Sequence, residues 1–431
     1  MIERYLRNTF RKILTKEDKL ELNNNVPSLS VLKQKFRNIN ESGLYLHIPF
    51  CNQICPYCPY NKEIYKPDVA EKYTLAVKKE IDFYVEIIGD KPITSFYIGG
   101  GTPTMMLHNG LADIITYIFH RFNMQCGIHM ESHPNHLSEE NLDIIQSMGV
   151  EYISAGIESL QDRHLHRLGR PYKSDDVKKI ISRVVDREFK CVNVDLMFAL
   201  PGQTYQEIEQ AGNALCELGV DQIAAYPIFR FPYTKMGSNG VESVFNLPTI
   251  IKRRKMLRVL EKIFYNAGFE RSSVWAFTRK GVEKYCSVTV PLYIGLGASG
   301  GSYLKDIFYL NTFNAGEYIK ALLSGKPAFA LSLDLSERMQ MAGWLYWRIY
   351  ETKFSKKDFY LRFHREFDNV YGKFLKPMKT IGFLQDDGQD IMLSDRGTFW
   401  LHAFEDMFSI DYISTLWGTS KHEPWPKKVV L

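Results

Sequence analysis

The sequence gives no basis for a disulfide scaffold. Seven cysteines in 431 residues is an odd number, and Cys126, Cys191, Cys216 and Cys286 are scattered. In a reducing compartment such thiols stay free for packing, metal binding or catalysis. Long apolar runs are also missing: nothing approaches the ~18 residues that a membrane helix needs. The opening stretch Met1–Lys12 has no continuous apolar segment of the kind found in secretion signals. The expectation is a cytoplasmic protein with no membrane partner. Charge of one sign is lacking as well. Fifty-four basic residues face 49 acidic ones, too even a balance for a phosphate-tracking surface, so no nucleic-acid partner is expected. No internal repeat or low-complexity tract stands out. The 45% hydrophobic content excludes a disordered chain, and the length allows two or three domains, or one large barrel with an appendage.

From Gly43 onward, short β-type runs alternate with helical periods. The spacing predicts strands at Leu44–Ile48, Ser95–Ile98, Gly127–Ser132, Glu151–Gly156, Cys191–Phe198 and Gln222–Pro227. Between the first two, Val69, Tyr73, Val77, Ile81, Tyr84, Val85 and Ile88 recur at helical spacing and define one buried face. Ser138 can cap a helix whose first turn carries Glu139 and Glu140, and Thr204 with Glu207 has capping-box spacing ahead of Gly219. Strand and helix alternating six times imply parallel strands joined by right-handed crossovers. Six units are fewer than the eight of a closed barrel, so an α/β fold built on an open, partial (β/α)6 barrel is expected. The expected division is an arm over 1–42, the barrel over 43–235, an extension over 236–330 with the glycine-rich turns Gly295–Gly301, and a cap over 331–431. In that cap, helical patterning should end in a small, winged-helix-like hairpin.

The chemistry concentrates at Cys51, Cys55 and Cys58, on the loop that leaves the first strand. That is the end of a barrel strand where catalytic groups collect. Three thiolates on one loop can ligate three irons of a [4Fe–4S] cluster and leave the fourth iron without a protein ligand. A zinc knuckle would want a fourth ligand at finger spacing, and a Cys-x-x-Cys redox pair would use only Cys55 and Cys58. Both stay open on spacing alone.

This Cys-x3-Cys-x2-Cys resembles the signature of the radical SAM superfamily. The run His47-Ile-Pro-Phe-Cys51, preceded by Tyr45, is similar to the oxygen-independent coproporphyrinogen III oxidase family and its relatives. The resemblance implies that the open iron chelates S-adenosylmethionine, and that one electron splits the cofactor into methionine and a 5′-deoxyadenosyl radical. It also implies a low-potential electron donor such as flavodoxin or ferredoxin. Further segments match the family in order. Gly100, Gly101 and Thr102 correspond to its glycine-rich segment near the cofactor's amino end, and Glu131 to a hydrogen-bond acceptor for the cofactor. Glu158 corresponds to a ribose-binding position and Arg170 to the arginine for the methionine carboxylate, with Arg167 a rival. Asp195 would meet the ribose, Tyr57 would lie beside the adenine, and Tyr45 joins the cofactor set. His129, Glu131 and His133 share one strand face, and the two histidines remain without a role.

Two departures are visible. Family oxidases continue from the third cysteine into Gly-Cys, whereas this chain has Pro59-Tyr60. Where the haem-chaperone branch has His-Asn-x-x-Tyr-Trp, this chain reads Lys284 to Tyr293. The resemblance implies an oxidoreductase-type enzyme acting on a large tetrapyrrole-like or polycyclic small molecule. The alternatives are a C-methyltransferase or cyclopropane-forming enzyme using two S-adenosylmethionine molecules rather than one, and a non-catalytic haem-binding chaperone. Cys286 is the scattered cysteine nearest a segment where substrate could lie.

Overall fold

The computed structural model describes residues 2–237, 248–285 and 292–431; Cys286 lies outside them. Six parallel strands form its centre, in spatial order as in sequence: β1 (Ser42–Ile48), β2 (Pro92–Gly100), β3 (Ile128–Ser132), β4 (Val150–Glu158), β5 (Cys191–Phe198) and β6 (Gln222–Pro227). The expected strands are all present, the last two with the expected bounds. Helices cross between them. Pro67–Ile88 buries Tyr73, Val77, Ile81 and Tyr84 against the sheet. Ser138 accepts from the Asn141 amide, and Thr204 with Glu207 closes a full capping box on Tyr205–Glu217. Among the described residues the sheet does not close on itself. It continues past β6 into antiparallel strands Ala276–Arg279 and Phe269–Arg271.

Past β1 the sheet gains β7 (Tyr293–Leu296), parallel to β1, and then antiparallel strands up to Phe329–Asp334. The glycine-rich turns of the expected extension therefore include a strand. A Cβ on Gly295 would lie 2.3 Å from the Gly301 carbonyl oxygen, so the two backbones can pair only because Gly295 has no side chain. Within residues 1–42, Glu21–Asn23 is a strand between Phe329–Asp334 and Lys428–Val430.

The C-terminal region is helical, and its hairpin, Leu384–Asp386 with Asp390–Leu393, is joined by Lys353–Ser355 into a small sheet. The chain does not end there. A 28-residue helix, Asp395–His422, follows and lies against Glu337–Tyr350 before the last strand returns to the main sheet. Apolar residues are spread all round this helix rather than gathered in one stripe, so it gives little periodic signal. No helix among the described residues is long and apolar enough to cross a membrane.

Candidate active site

Parallel register arranges the inward side chains in layers. Tyr45, Tyr97, His129, Tyr152 and Cys191 are matched across β1 to β5 in the lowest layer. Above it Glu131, Ser154, Asn193 and Gln222 are matched across β3 to β6, and above those Gly156, Asp195 and Ala224. These layers floor a cavity of about 540 Å³ whose rim carries Cys51, Cys55 and Cys58.

The polar floor is one connected network. Glu131 accepts from the Tyr97 hydroxyl at 2.6 Å and from the Gly100 amide at 3.1 Å. Asp195 accepts from Asn193 at 3.0 Å and Ser154 at 3.3 Å, Asn193 accepts from Gln222, and Gln222 accepts from the Tyr285 amide. The Tyr285 hydroxyl donates back to Tyr97 at 2.7 Å. Two carboxylates are thus linked through the floor. Burial, then the charges of Glu158 and Glu131, push the Asp195 carboxyl up to about 8, and burial raises Glu131.

Glu158 stands at φ +66°, a strained backbone for a residue with a side chain. Its carboxylate pairs with Arg170 Nη2 at 2.5 Å and accepts from the Tyr226 hydroxyl at 2.9 Å. The same guanidinium nitrogen donates to the Tyr57 hydroxyl at 2.6 Å. Arg170 Nε is buried with no partner among the described residues. Arg167 is settled differently: it donates to the Pro201 carbonyl and does not line the cavity.

Among the sequence-predicted residues, Cys51, Cys55, Cys58, Tyr57, Gly100, Gly101, Thr102, Glu131, Glu158, Arg170 and Asp195 all line this one cavity. Tyr45 does not. It sits a layer lower, its hydroxyl 2.8 Å from His47 Nδ1 and its ring against Tyr97. Asp195 finds its partners within the protein, which the apolar sequence around it did not reveal. His129 is stacked flat on Tyr152, ring centroids 4.0 Å apart, whereas His133 lies against His136 and Tyr172. Sequence reasoning missed Tyr97, Ser154, Asn193, Gln222 and Tyr226. Strand alternation, which puts Asn193 on the same face as Asp195 two residues later, could have found Asn193. The last helix contributes His402, Asp406, Ser409, Ile410 and Ile413, and Trp275 and Trp347 add flat walls; none of these lies in a motif.

Cys51, Cys55 and Cys58 are free; burial pushes the Cys51 thiol up to about 11, and its Sγ lies 3.4 Å from Thr102 Oγ1. No group of three His, Cys, Asp or Glu among the described residues could hold a single ion. Thiols spread along a loop suit a cluster instead, in which each takes a different iron. The unpartnered Arg170 Nε, in the wall of the same cavity, suits a carboxylate such as the methionine end of S-adenosylmethionine.

The radical SAM superfamily profile matches residues 45–215. The chain carries a radical SAM domain. Such a domain implies a [4Fe–4S] cluster and S-adenosylmethionine. The chain is 25% identical to Heme chaperone HemW of Bacillus subtilis over 82% of this chain and 95% of that one. It is also 25% identical to Anaerobilin synthase of Escherichia coli O157:H7 over 68% of each. The fold matches coproporphyrinogen III oxidase from Escherichia coli with a TM-score of 0.78 at 18% identity, covering 90% of this chain and 94% of that one. The match extends well beyond residues 45–215.

Proposed function

We propose that the protein is a radical SAM enzyme acting on a tetrapyrrole-like substrate. The observation that carries this reading is the joining of three features in one cavity: the three-cysteine rim, the carboxylate–arginine floor, and an aromatic wall formed by Phe229, Phe231, Trp275, Trp347 and Tyr350. Cys51, Cys55 and Cys58 would hold the cluster. When bound, the cluster and S-adenosylmethionine supply reductive cleavage of a carbon–sulfur bond, and with it a hydrogen-abstracting radical.

The chain's own residues do the rest. Arg170, fixed by Glu158 and Tyr57, presents its remaining donors to the methionine carboxylate, a pairing that guanidinium geometry favours. Glu131, steadied by Tyr97 and Gly100, accepts from the amino group. Glu158 and Asp195 take the ribose hydroxyls, and Tyr57 borders the adenine. Tyr45 acts from below by fixing His47. The aromatic wall keeps water from a flat substrate. A low-potential donor such as flavodoxin or ferredoxin would supply the electron.

The names of several relatives favour a second reading, a haem-binding chaperone. One anaerobic experiment separates the two. Reconstituted protein is given S-adenosylmethionine, a reductant, and either coproporphyrinogen or haem, with products read by mass spectrometry. Formation of 5′-deoxyadenosine and methionine, with an altered tetrapyrrole, supports the enzyme. Loss of carbon dioxide from propionates identifies the oxidase reaction. A methyl-sized gain with S-adenosylhomocysteine identifies methyl transfer and a second S-adenosylmethionine. Stoichiometric haem binding without cofactor turnover identifies the carrier. Replacing Cys51, Cys55 or Cys58 by Ala is expected to lower iron and sulfide content and abolish turnover; a fully active variant would contradict the ligand assignment.

A further inference from the structure

The cavity wall supplied by the last helix holds a histidine that no part of this chemistry uses. His402 is 5% exposed and lines the cavity together with Asp406, one helical turn further on. Its ring is enclosed by Trp275 edge-on at 5.1 Å, Tyr350 at 5.7 Å and Phe229 at 6.4 Å. Nδ1 lies 3.3 Å from Asp406 Oδ1, and no described residue hydrogen-bonds either ring nitrogen.

That is unlike the structural histidine of this fold. His47 is equally buried, but Tyr45 occupies its Nδ1 and the Asn61 carbonyl its Nε2. A buried imidazole left without hydrogen bonds carries an energetic cost that a ligand can remove. Closing the 3.3 Å contact between Asp406 and Nδ1 to a hydrogen bond, with Nε2 left to a ligand, gives the arrangement of a metal-ligating histidine, in which a carboxylate fixes tautomer and ring orientation. No group of three ligating side chains accompanies His402 among the described residues, so a bare ion would find too few donors. An iron that brings four ring nitrogens of its own needs only an axial ligand. The flat aromatic faces around His402 suit such a macrocycle.

We propose that His402 is an axial ligand to the iron of a metallated tetrapyrrole and that Asp406 orients it. This rests on the tetrapyrrole reading above and narrows it: the site takes an iron-bearing ring in preference to a metal-free one.

The test titrates the full-length protein anaerobically with haem and with metal-free protoporphyrin, following visible absorbance and electron paramagnetic resonance. S-adenosylmethionine cleavage is measured on the same preparation. The expected result is a histidine-ligated iron spectrum, with haem bound at least about tenfold more tightly than the metal-free ring. His402→Ala should lose that spectrum and regain it with added imidazole. Asp406→Asn should keep the spectrum and weaken haem binding by ~10-fold, the usual effect of removing a ligand's orienting partner. An unchanged spectrum in His402→Ala, or equal affinity for the two rings, overturns the axial-ligand proposal and leaves the tetrapyrrole reading standing. Binding of neither ring, with intact cofactor cleavage, overturns both.

Discussion

Asp195 illustrates how a side chain acquires its character from its neighbours. Buried beside two other carboxylates, it holds its proton up to about pH 8, whereas its ordinary value is 3.8. A carboxyl raised on folding binds more protons in the native state than in the unfolded chain, so its contribution to stability falls as pH rises between those two values. Asp195→Asn removes that penalty. The variant's thermal stability relative to the native protein should therefore increase steadily from about pH 4 to about pH 8 and level off above. A pH-independent difference would show that Asp195 is already ionised at low pH.

Arg170 is the complementary case, a cation fixed by Glu158 and Tyr57 with its Nε unspent. Arg170→Lys keeps the charge and loses the fork. S-adenosylmethionine binding, read by equilibrium dialysis, should weaken by roughly 10- to 100-fold, the equivalent of ~1.5–3 kcal/mol for a hydrogen bond to a charged group. Equal affinity would mean that the guanidinium serves only to neutralise Glu158.

At the scale of elements, local signals proved sufficient wherever they were local in origin. The Ser138 cap, the Thr204–Glu207 box and the buried face of Pro67–Ile88 depend on residues three or four apart, and all were legible. Thr204→Ala should cost about 1 kcal/mol in urea denaturation, since it strips the hydroxyl that receives the Glu207 amide. Gly100 was legible as a special position but for an incomplete reason. At φ +118°, a Cβ there would lie 2.6 Å from the His47 ring, so close packing requires glycine before any ligand is considered. Gly100→Ala should lower the unfolding midpoint of the apo-protein, by an amount on the order of 1–3 kcal/mol. If only ligand approach mattered, apo stability would be unchanged. The strand at Tyr293–Leu296 and the helix Asp395–His422 escaped the sequence reading, the first because its glycines read as turns, the second because its apolar residues have no stripe.

For the whole molecule, the decisive feature is that the last helix and the barrel floor share one cavity although they are nearly two hundred residues apart in sequence. Ile410 and Ile413 stand on that helix within the lining. Ile410→Asp should weaken tetrapyrrole binding at least about tenfold, since it sets a charge against an apolar ring, and should leave cluster content unchanged. A parallel fall in iron content would show that the helix supports the cluster loop as well.

The sequence by itself determined the three-cysteine loop and the six parallel strands, because each is encoded by residues adjacent or a few positions apart. Strand alternation even put Glu131 on the correct face. Tertiary structure alone decided which strand neighbours meet. Lateral register set Ser154 and Asn193 beside Asp195 and kept Tyr45 a layer below the cavity, while the turn that follows helix Asp162–Arg167 brought Arg170 rather than Arg167 to the cavity. It also brought His402 to the wall of a site whose cysteines lie about 350 residues earlier in the chain. Register and helix docking arise from the packing of whole faces, a sum over many weak contacts, and no single motif carries that sum.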